Sequence, residues 1–228
     1  MFQLKQRVVV FVTLTLLFVG CMPATTEDSA SSIKNIISEV PSSLKEDDSG
    51  GVLTFAMNDV VVSMQRPPTW ESVATDYGVA LTEELDSLTA RDLNSVVAHI
   101  FVPPLDNVVL AEDSSGIART ILRQIIANPE YIDGATTTMP VAFRWQELDA
   151  AYFMMTNTNH VSSVVVGIIE PGVSTLVVIQ VSAATEQATR IRALLPQIVD
   201  HMSINNVELS GDLLDGSLPS VLQFPDME

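Results

Sequence analysis

Residues 136–181 read TTTMPVAFRWQELDAAYFMMTNTNHVSSVVVGIIEPGVSTLVVIQV, and this stretch decides the fold. β-Branched and aromatic residues, which favour strands, fill it, and turn-forming residues interrupt it. It predicts four strands, over 136–148, 150–156, 161–169 and 174–181, with the last pair turning at Glu170-Pro171-Gly172. Because the connections are short, neighbouring strands should run antiparallel.

Two hairpins and a buried strand are predicted upstream, because β-rich runs there are separated by turn-forming residues. The segments are VLTFAM (52–57) with VVVSMQR (60–66), WESVAT (70–75) with VALT (79–82), and VVAHIFV (96–102).

Apolar residues at helical spacing predict two helices. The first spans about 115–128, is capped by Ser114 or Ser115, and carries Arg119 and Arg123 opposite its apolar face. The second spans about Ala183 to His201 and contains Pro196, which should kink it or mark a restart. This order of elements predicts an α+β fold, a largely antiparallel sheet flanked by helices.

The composition excludes one class of partner. The 228 residues include 28 Asp and Glu against 11 Lys and Arg, so the formal net charge is −17 and nucleic-acid binding is not expected. Apolar residues make up 47% of the chain and charged residues 17%, which is typical of a globular protein and not of a disordered one.

The first 21 residues have the pattern of an export signal. Lys5 and Arg7 precede an uncharged run, Val8 to Val19, that is too short for a transmembrane helix of about 20 residues. The end of this run and the two residues after it, LFVGC (17–21), resemble a bacterial lipobox, which implies that Cys21 is lipidated and becomes the mature N-terminus. Cys21 is the only cysteine, so an internal disulfide is excluded. The alternative is a buried Cys at the end of an uncleaved anchor helix.

These features predict four regions and an exported protein. Residues 1–20 are a lipoprotein signal peptide, 21–51 a lipidated Cys and flexible tether, 52–208 a globular α+β domain, and 209–228 an acidic C-terminal tail. Without Lys5 and Arg7 the mature chain would carry 28 acidic and 9 basic residues, a formal −19. Acyl chains, and not a basic face, would therefore hold the protein at the membrane, facing outside the cytoplasm.

The globular part resembles the PsbP/Mog1-like superfamily. The resemblance lies in RPPTW (66–70), the Gly-led strand GVAL (78–81), a central strand that ends in Pro103-Pro104, and the closing helix pattern LLPQIVDHMSI (194–204). It would cover Val52 to about Val207 and implies an antiparallel sheet flanked by helices. Family members include bacterial lipoproteins and bind different partners, and no family catalytic residue carries over, so the resemblance implies a binding module.

Groups that could carry catalysis are few. Cys21 is assigned to lipid, and His99, His160 and His201 have no partner at motif spacing, so structural roles are favoured for all three. Glu147 and Asp149, at i and i+2, would share one face of a strand and are the candidates for a carboxylate hydrolase.

No metal or cofactor is predicted. Zinc motifs and phosphate-binding glycine loops are missing from the sequence. Calcium is harder to exclude because two acidic runs could gather oxygen ligands, but neither has EF-hand spacing and solvated loops are favoured. The runs are Asp106, Glu112 and Asp113, and Glu83, Glu84 and Asp86.

Two tryptophans are the remaining candidates for a site. Trp70 follows Pro-Pro-Thr, and core packing is favoured for it. For Trp145 the core and an exposed recognition edge are equally open, and in the second case Arg144 and Glu147 would bind with it.

The sequence therefore predicts a lipid-anchored extracytoplasmic binding or assembly module, whose partner is a protein or a small molecule. The alternatives are a cell-envelope hydrolase that uses carboxylates and a purely structural envelope lipoprotein.

Overall fold

The computed structural model of the chain describes residues 42–47, 51–88, 93–103, 116–132, 134–170 and 175–226. They form two antiparallel sheets with helices packed against them, which confirms the predicted α+β class. None of the described helices is long and apolar enough to span a membrane. The predicted signal peptide, Cys21, most of the predicted tether and the turn at Pro171-Gly172 lie outside the described residues.

Among the described elements, six strands precede the first helix and five more lie between the second and third helices. The strands are β1 (Ser42–Glu46), β2 (Val52–Met57), β3 (Val60–Gln65), β4 (Glu71–Thr75), β5 (Gly78–Thr82), β6 (Val97–Phe101), β7 (Thr136–Thr137), β8 (Val141–Trp145), β9 (Leu148–Thr156), β10 (Val161–Glu170), β11 (Thr175–Ala184), β12 (Ser203–Ile204) and β13 (Val207–Glu208). The helices are α1 (Ile117–Ala127), α2 (Pro129–Ile132), α3 (Thr189–Val199) and α4 (Gly211–Ser217).

The small sheet has the order β1-β2-β3-β12-β13. Its hairpin β2–β3 is confirmed, and Asn58 and Asp59 form the turn with φ of 50° and 63°. Asn and Asp tolerate these left-handed values better than most residues, and such turns match the twist of a hairpin. The turn therefore sets the register that directs Leu53, Phe55 and Val62 into the core.

The large sheet has the order β4-β5-β6-β11-β10-β9, with both β7 and β8 paired to the outer side of β9. We predicted one strand over 136–148, but it is divided into β7 and β8. Pro140 has no N–H for the ladder. At the division the Thr138 hydroxyl accepts a hydrogen bond from Met154 N at 2.9 Å, in place of a backbone carbonyl.

The large sheet forms the middle layer. One face packs against the small sheet, α3 and α4, through residues such as Ile100, Val166 and Ile179. The other face packs against α1 and α2 through residues such as Phe153 and Val165. Most strands of this sheet are buried on both faces, which explains why the stretch 161–184 is almost continuously apolar.

Both predicted ends of the domain need correction. The tether was predicted to reach residue 51, but β1 lies within it and pairs with β2, with Glu46 opposite Leu53. The tail was predicted from residue 209 as a loose end, but α4 lies within it. The Ser210 side chain accepts a hydrogen bond from Leu213 N and caps α4, and Leu214 is fully buried.

The second long helix is shorter than predicted. It was predicted from Ala183, but β11 runs to Ala184, and Thr185–Gln187 form a 3₁₀ turn before α3 begins. Pro196 lies inside α3, which ends at Val199, so His201 lies after the helix.

Candidate functional site

Strand β8 brings the three predicted binding residues to one edge of the large sheet. Arg144 and Trp145 are its last two residues, and Glu147 lies in the two-residue turn to β9. Trp145 pairs with Leu148 across this hairpin, and Gln146 in the turn has a φ of 56°. The hairpin therefore places these side chains within a few residues of one another, but on different faces.

Trp145 is fully buried and belongs to the core. Its indole Nε1 donates a hydrogen bond to the carbonyl oxygen of Ser210 at 3.1 Å, and the Phe143 ring lies 5.8 Å from it between centroids. Of the two roles that the sequence left open, the core role is therefore the one observed. Trp145 cannot form an exposed recognition edge in this structure.

Arg144 and Glu147 are exposed, and apolar side chains are exposed beside them. Met139, just before β8, is 57% exposed, and Val141 at its first position is 48% exposed. These two large apolar side chains are thus exposed close together at one sheet edge, where an unpaired strand is open to a partner. Met139 and Val141 were not among the predicted site residues, because the sequence does not show that β8 is an edge strand.

Asp149 has a structural role. Its Oδ2 accepts hydrogen bonds from the backbone N–H groups of Gly116 and Ala118, at 3.2 and 3.3 Å, and so caps α1 from a distant strand. Gly116, with a φ of 101°, is the residue that precedes the helix. The predicted capping residues, Ser114 and Ser115, lie outside the described residues. A carboxylate at this position also stabilises the positive end of the helix.

Glu147 and Asp149 do not form the predicted pair on one face of a strand. Glu147 lies in the turn, and Asp149 lies in β9, bound to the start of α1. The geometric premise of the carboxylate hydrolase is therefore wrong.

Arg119 and Arg123 lie on the side of α1 that faces β8. The helix packs on β9 and β10, contacts β8, and runs in the same direction as β9 from Asp149 towards β7. For a right-handed helix in this orientation, steps of about 100° per residue place these arginines towards β8 and Gln124 towards β10. Arg144 lies opposite Asp149 in the register, so its side chain is on the same face of the sheet as α1.

A second polar group lies inside the domain, around His99. Its Nε2 is hydrogen-bonded to the Thr75 hydroxyl at 2.9 Å, and its ring stacks on Phe101 with centroids 4.5 Å apart. Burial lowers the pKa of His99 to about 3, so the imidazole is neutral at physiological pH. Gln180 lies opposite His99 in the register and donates to the Ser182 hydroxyl at 3.2 Å.

This internal group is incompletely satisfied. Among the described residues, His99 Nδ1 and Gln180 Oε1 have no hydrogen-bond partner. Both side chains are almost fully buried, at 3% and 2% exposure. The Ser163 and Ser182 hydroxyls, 2.8 Å apart, complete the polar strip on this face of the sheet.

The other candidate residues are placed as follows. Trp70 is 7% exposed and packs in the core, as favoured. His160 and His201 lie in turns with positive φ of 55° and 65° and are exposed.

Of the two acidic runs that could bind calcium, the structure describes one and not the other. Glu83 forms an ion pair with Arg190 and accepts a hydrogen bond from Val96 N. Within the described part of the chain, no group of three His, Cys, Asp or Glu side chains could hold a metal ion. Asp106, Glu112 and Asp113 lie outside it.

Comparisons with known proteins show a similarity to solved structures. No protein-family model matches the chain, and no curated protein matches it. The chain is similar to the solution structure of cyanobacterial PsbP (CyanoP) from Synechocystis sp. PCC 6803, with a TM-score of 0.42 and 11% sequence identity. The match covers 76% of this chain and 98% of that chain.

Proposed function

We propose that the chain is a lipid-anchored extracytoplasmic binding or assembly module whose partner binds at the β8 edge. One observation carries this proposal: Met139, just before β8, and Val141, its first residue, are 57% and 48% exposed at the edge whose other face exposes Arg144. Met and Arg are both enriched among the side chains of protein interfaces.

The other sheet edges differ from β8. Strand β1 carries the exposed charges Lys45 and Glu46 and an irregular register, both of which oppose pairing with a further strand. Strand β13 has two residues, and β4 begins with the exposed Glu71. Among the described edge strands, β8 is thus the one that carries an exposed large apolar residue, Val141.

The anchor is argued from sequence. Lys5, Arg7, the apolar run to Val19 and the lipobox-like ending at Cys21 support export and lipidation. A domain held at the membrane by lipid and carrying a net negative charge would keep its protein surface away from anionic head groups. An exposed binding edge would then stay accessible to other envelope proteins.

The PsbP/Mog1-like assignment belongs to the same proposal. The motifs in RPPTW (66–70) and GVAL (78–81) support it from sequence. The hydrolase alternative has no geometric support, because Glu147 lies in the turn after β8 and Asp149 caps α1. Photocrosslinking from residue 139 distinguishes the proposed module from a purely structural envelope lipoprotein.

The test is photocrosslinking in intact cells with a photoreactive amino acid at Met139. A matched control places the same group at Leu85, which is 44% exposed at the other end of the large sheet. We expect a reproducible protein adduct from residue 139 and none from residue 85. Equal labelling from both positions, or none from either, would favour the structural lipoprotein.

Anchoring is tested separately with Cys21→Ala. We expect the wild-type chain in the membrane fraction with a lipid-modified N-terminus, and the variant lacking that modification. A wild-type chain that keeps residues 1–20 and carries no lipid on Cys21 would contradict lipidation and support an uncleaved helix.

A further inference from the structure

The described arginines fall into two groups. Arg66, Arg190 and Arg192 form ion pairs with Glu46, Glu83 and Asp215. Three others, Arg119, Arg123 and Arg144, are exposed and form no ion pair with a described residue.

These three arginines share one surface. Arg119 and Arg123 lie on the flank of α1 towards β8, and Arg144 projects from β8 on the same side of the sheet. We call Arg119, Arg123 and Arg144 the arginine flank. The chain has a net charge of −17, so most of its surface repels an anionic partner. The arginine flank, whose cations form no ion pair with a described residue, instead attracts such a partner.

The backbone of β8 offers hydrogen bonds at the same place. Trp145 and Leu148 close a two-residue hairpin, so they form a hydrogen-bonded pair. Every second pair of opposite residues along β8 and β9 is then hydrogen-bonded as well. Ala142 and Arg144 therefore direct their N–H and C=O groups away from β9. Both residues are exposed, and no described group bonds to their backbone on that side.

We propose that β8 and the arginine flank bind an extended, acidic segment of a partner protein; this inference rests on the proposed function. The segment would add to the large sheet as one more strand. Unpaired N–H and C=O groups along an edge are what strand addition uses for affinity, and side chains at alternate positions supply specificity. Here the specificity would come from carboxylates on the α1 side of the added strand.

The two faces of β8 define the partner sequence. Arg144 projects towards α1, whereas Val141 and the half-buried Phe143 project towards the opposite face. An added strand should therefore alternate acidic residues, facing the arginine flank, with apolar residues beside Val141. Pro140 and the turn at Gln146 limit the contact to about five residues.

Two other possible partners of the β8 edge are disfavoured. A second copy of this chain would bring another strongly negative molecule to the edge. An anionic lipid surface would leave the outward N–H and C=O groups of Ala142 and Arg144 without partners in an apolar medium. Both remain distinguishable outcomes of the experiment.

The test uses the full chain, purified in detergent micelles, and two fluorescent seven-residue peptides. One peptide alternates Glu and Val, and the other alternates Lys and Val. We expect the Glu peptide to bind at least tenfold more tightly, and the advantage to shrink with added salt. Replacing Arg119, Arg123 and Arg144 together by Ala should remove it, whereas Arg190→Ala, a matched arginine outside the flank, should not.

Strand addition is tested with Ala142→Pro, which removes an outward N–H while leaving the bonds to β9 in place. We expect at least a tenfold loss of peptide affinity with unchanged circular dichroism. If this variant does not fold, a Glu peptide that is N-methylated at alternate residues replaces it, and one of the two methylation registers should fail to bind.

Three results would overturn the inference: equal binding of both peptides, tight binding of the methylated peptide in both registers, or arginine-dependent binding to phosphatidylglycerol vesicles without peptide binding. The proposed function can survive these results. If photocrosslinking at residue 139 captures a partner through a basic or helical segment, the binding edge stands and the acidic strand is wrong. If it captures nothing, the proposed function itself fails.

Discussion

His99 shows at the residue scale how one buried side chain links stability to pH. Its folded-state pKa of about 3 lies below the ordinary value of 6.5, because burial disfavours the charged imidazolium. The unfolded chain therefore binds a proton more readily between these two values. Stability from this group is complete above about pH 6.5 and is lost as pH falls.

We predict that the free energy of unfolding falls by about 1.4 kcal/mol for each pH unit below about 5.5 because of His99 alone. Urea titrations of wild type and His99→Gln between pH 7.5 and 4.5 measure this difference. Parallel curves for wild type and His99→Gln would contradict the burial of a neutral imidazole.

Gly78 is required for a close approach of two strands. A Cβ atom at this position would lie 2.0 Å from the carbonyl oxygen of Ile100, and backbone cannot move aside as a side chain can. We predict that Gly78→Ala lowers the free energy of unfolding by more than about 2 kcal/mol. Gly216→Ala is the control, because nothing lies within 4 Å of its Cβ and a helical alanine should stabilise α4 slightly.

At the scale of elements, α1 depends on a residue from another strand. Asp149 accepts two of the N–H groups at the helix start, so Asp149→Ala leaves them without that partner. We predict a loss of about 1–2 kcal/mol in the free energy of unfolding, measured by urea denaturation. Glu147→Ala, two residues away in an exposed turn, should change stability by less than about 0.5 kcal/mol.

Periodicity predicted most elements, because strands and helices reflect local patterns. The β2–β3 hairpin, the strands β9, β10 and β11, and the stripe of α1 are confirmed within a few residues. Periodicity does not show partners that are distant in sequence. The cap of α1 comes from β9, and the hydrogen-bond acceptor of Trp145 comes from Ser210, neither of which an alternation of apolar residues can show.

The site was predictable only in part. Arg144 and Glu147 are exposed and lie at the end of the predicted hairpin. Arg119 and Arg123 were recognisable as the polar side of a helix, but their position near β8 depends on how α1 lies on the sheet. The number of sheets was also not predictable, since the small sheet forms through the pairing of β3 with β12, far apart in the chain.

At the scale of the whole molecule, the C-terminal residues complete the core. Leu209, Leu214 and Leu218 are buried, and burial of each contributes about 2 kcal/mol, a sum comparable with the total stability of a typical domain. We predict that a chain ending at Glu208 does not fold, seen as red-shifted tryptophan fluorescence and loss of cooperative unfolding. Removal of residues 227 and 228 alone should leave the fluorescence and the cooperative unfolding unchanged. If a chain that ends at Glu208 still folds, the prediction of a loose tail from residue 209 is supported.

Strand β1 also determines how the domain would respond to tension. A pull from the N-terminal side enters the described structure at Ser42, and β1 pairs within the described residues with β2 alone. Its five residues would detach before the buried strands of the large sheet, which are paired on both sides. Under load, unpairing of β1 would lengthen the segment that precedes the domain, while the rest of the fold stays intact.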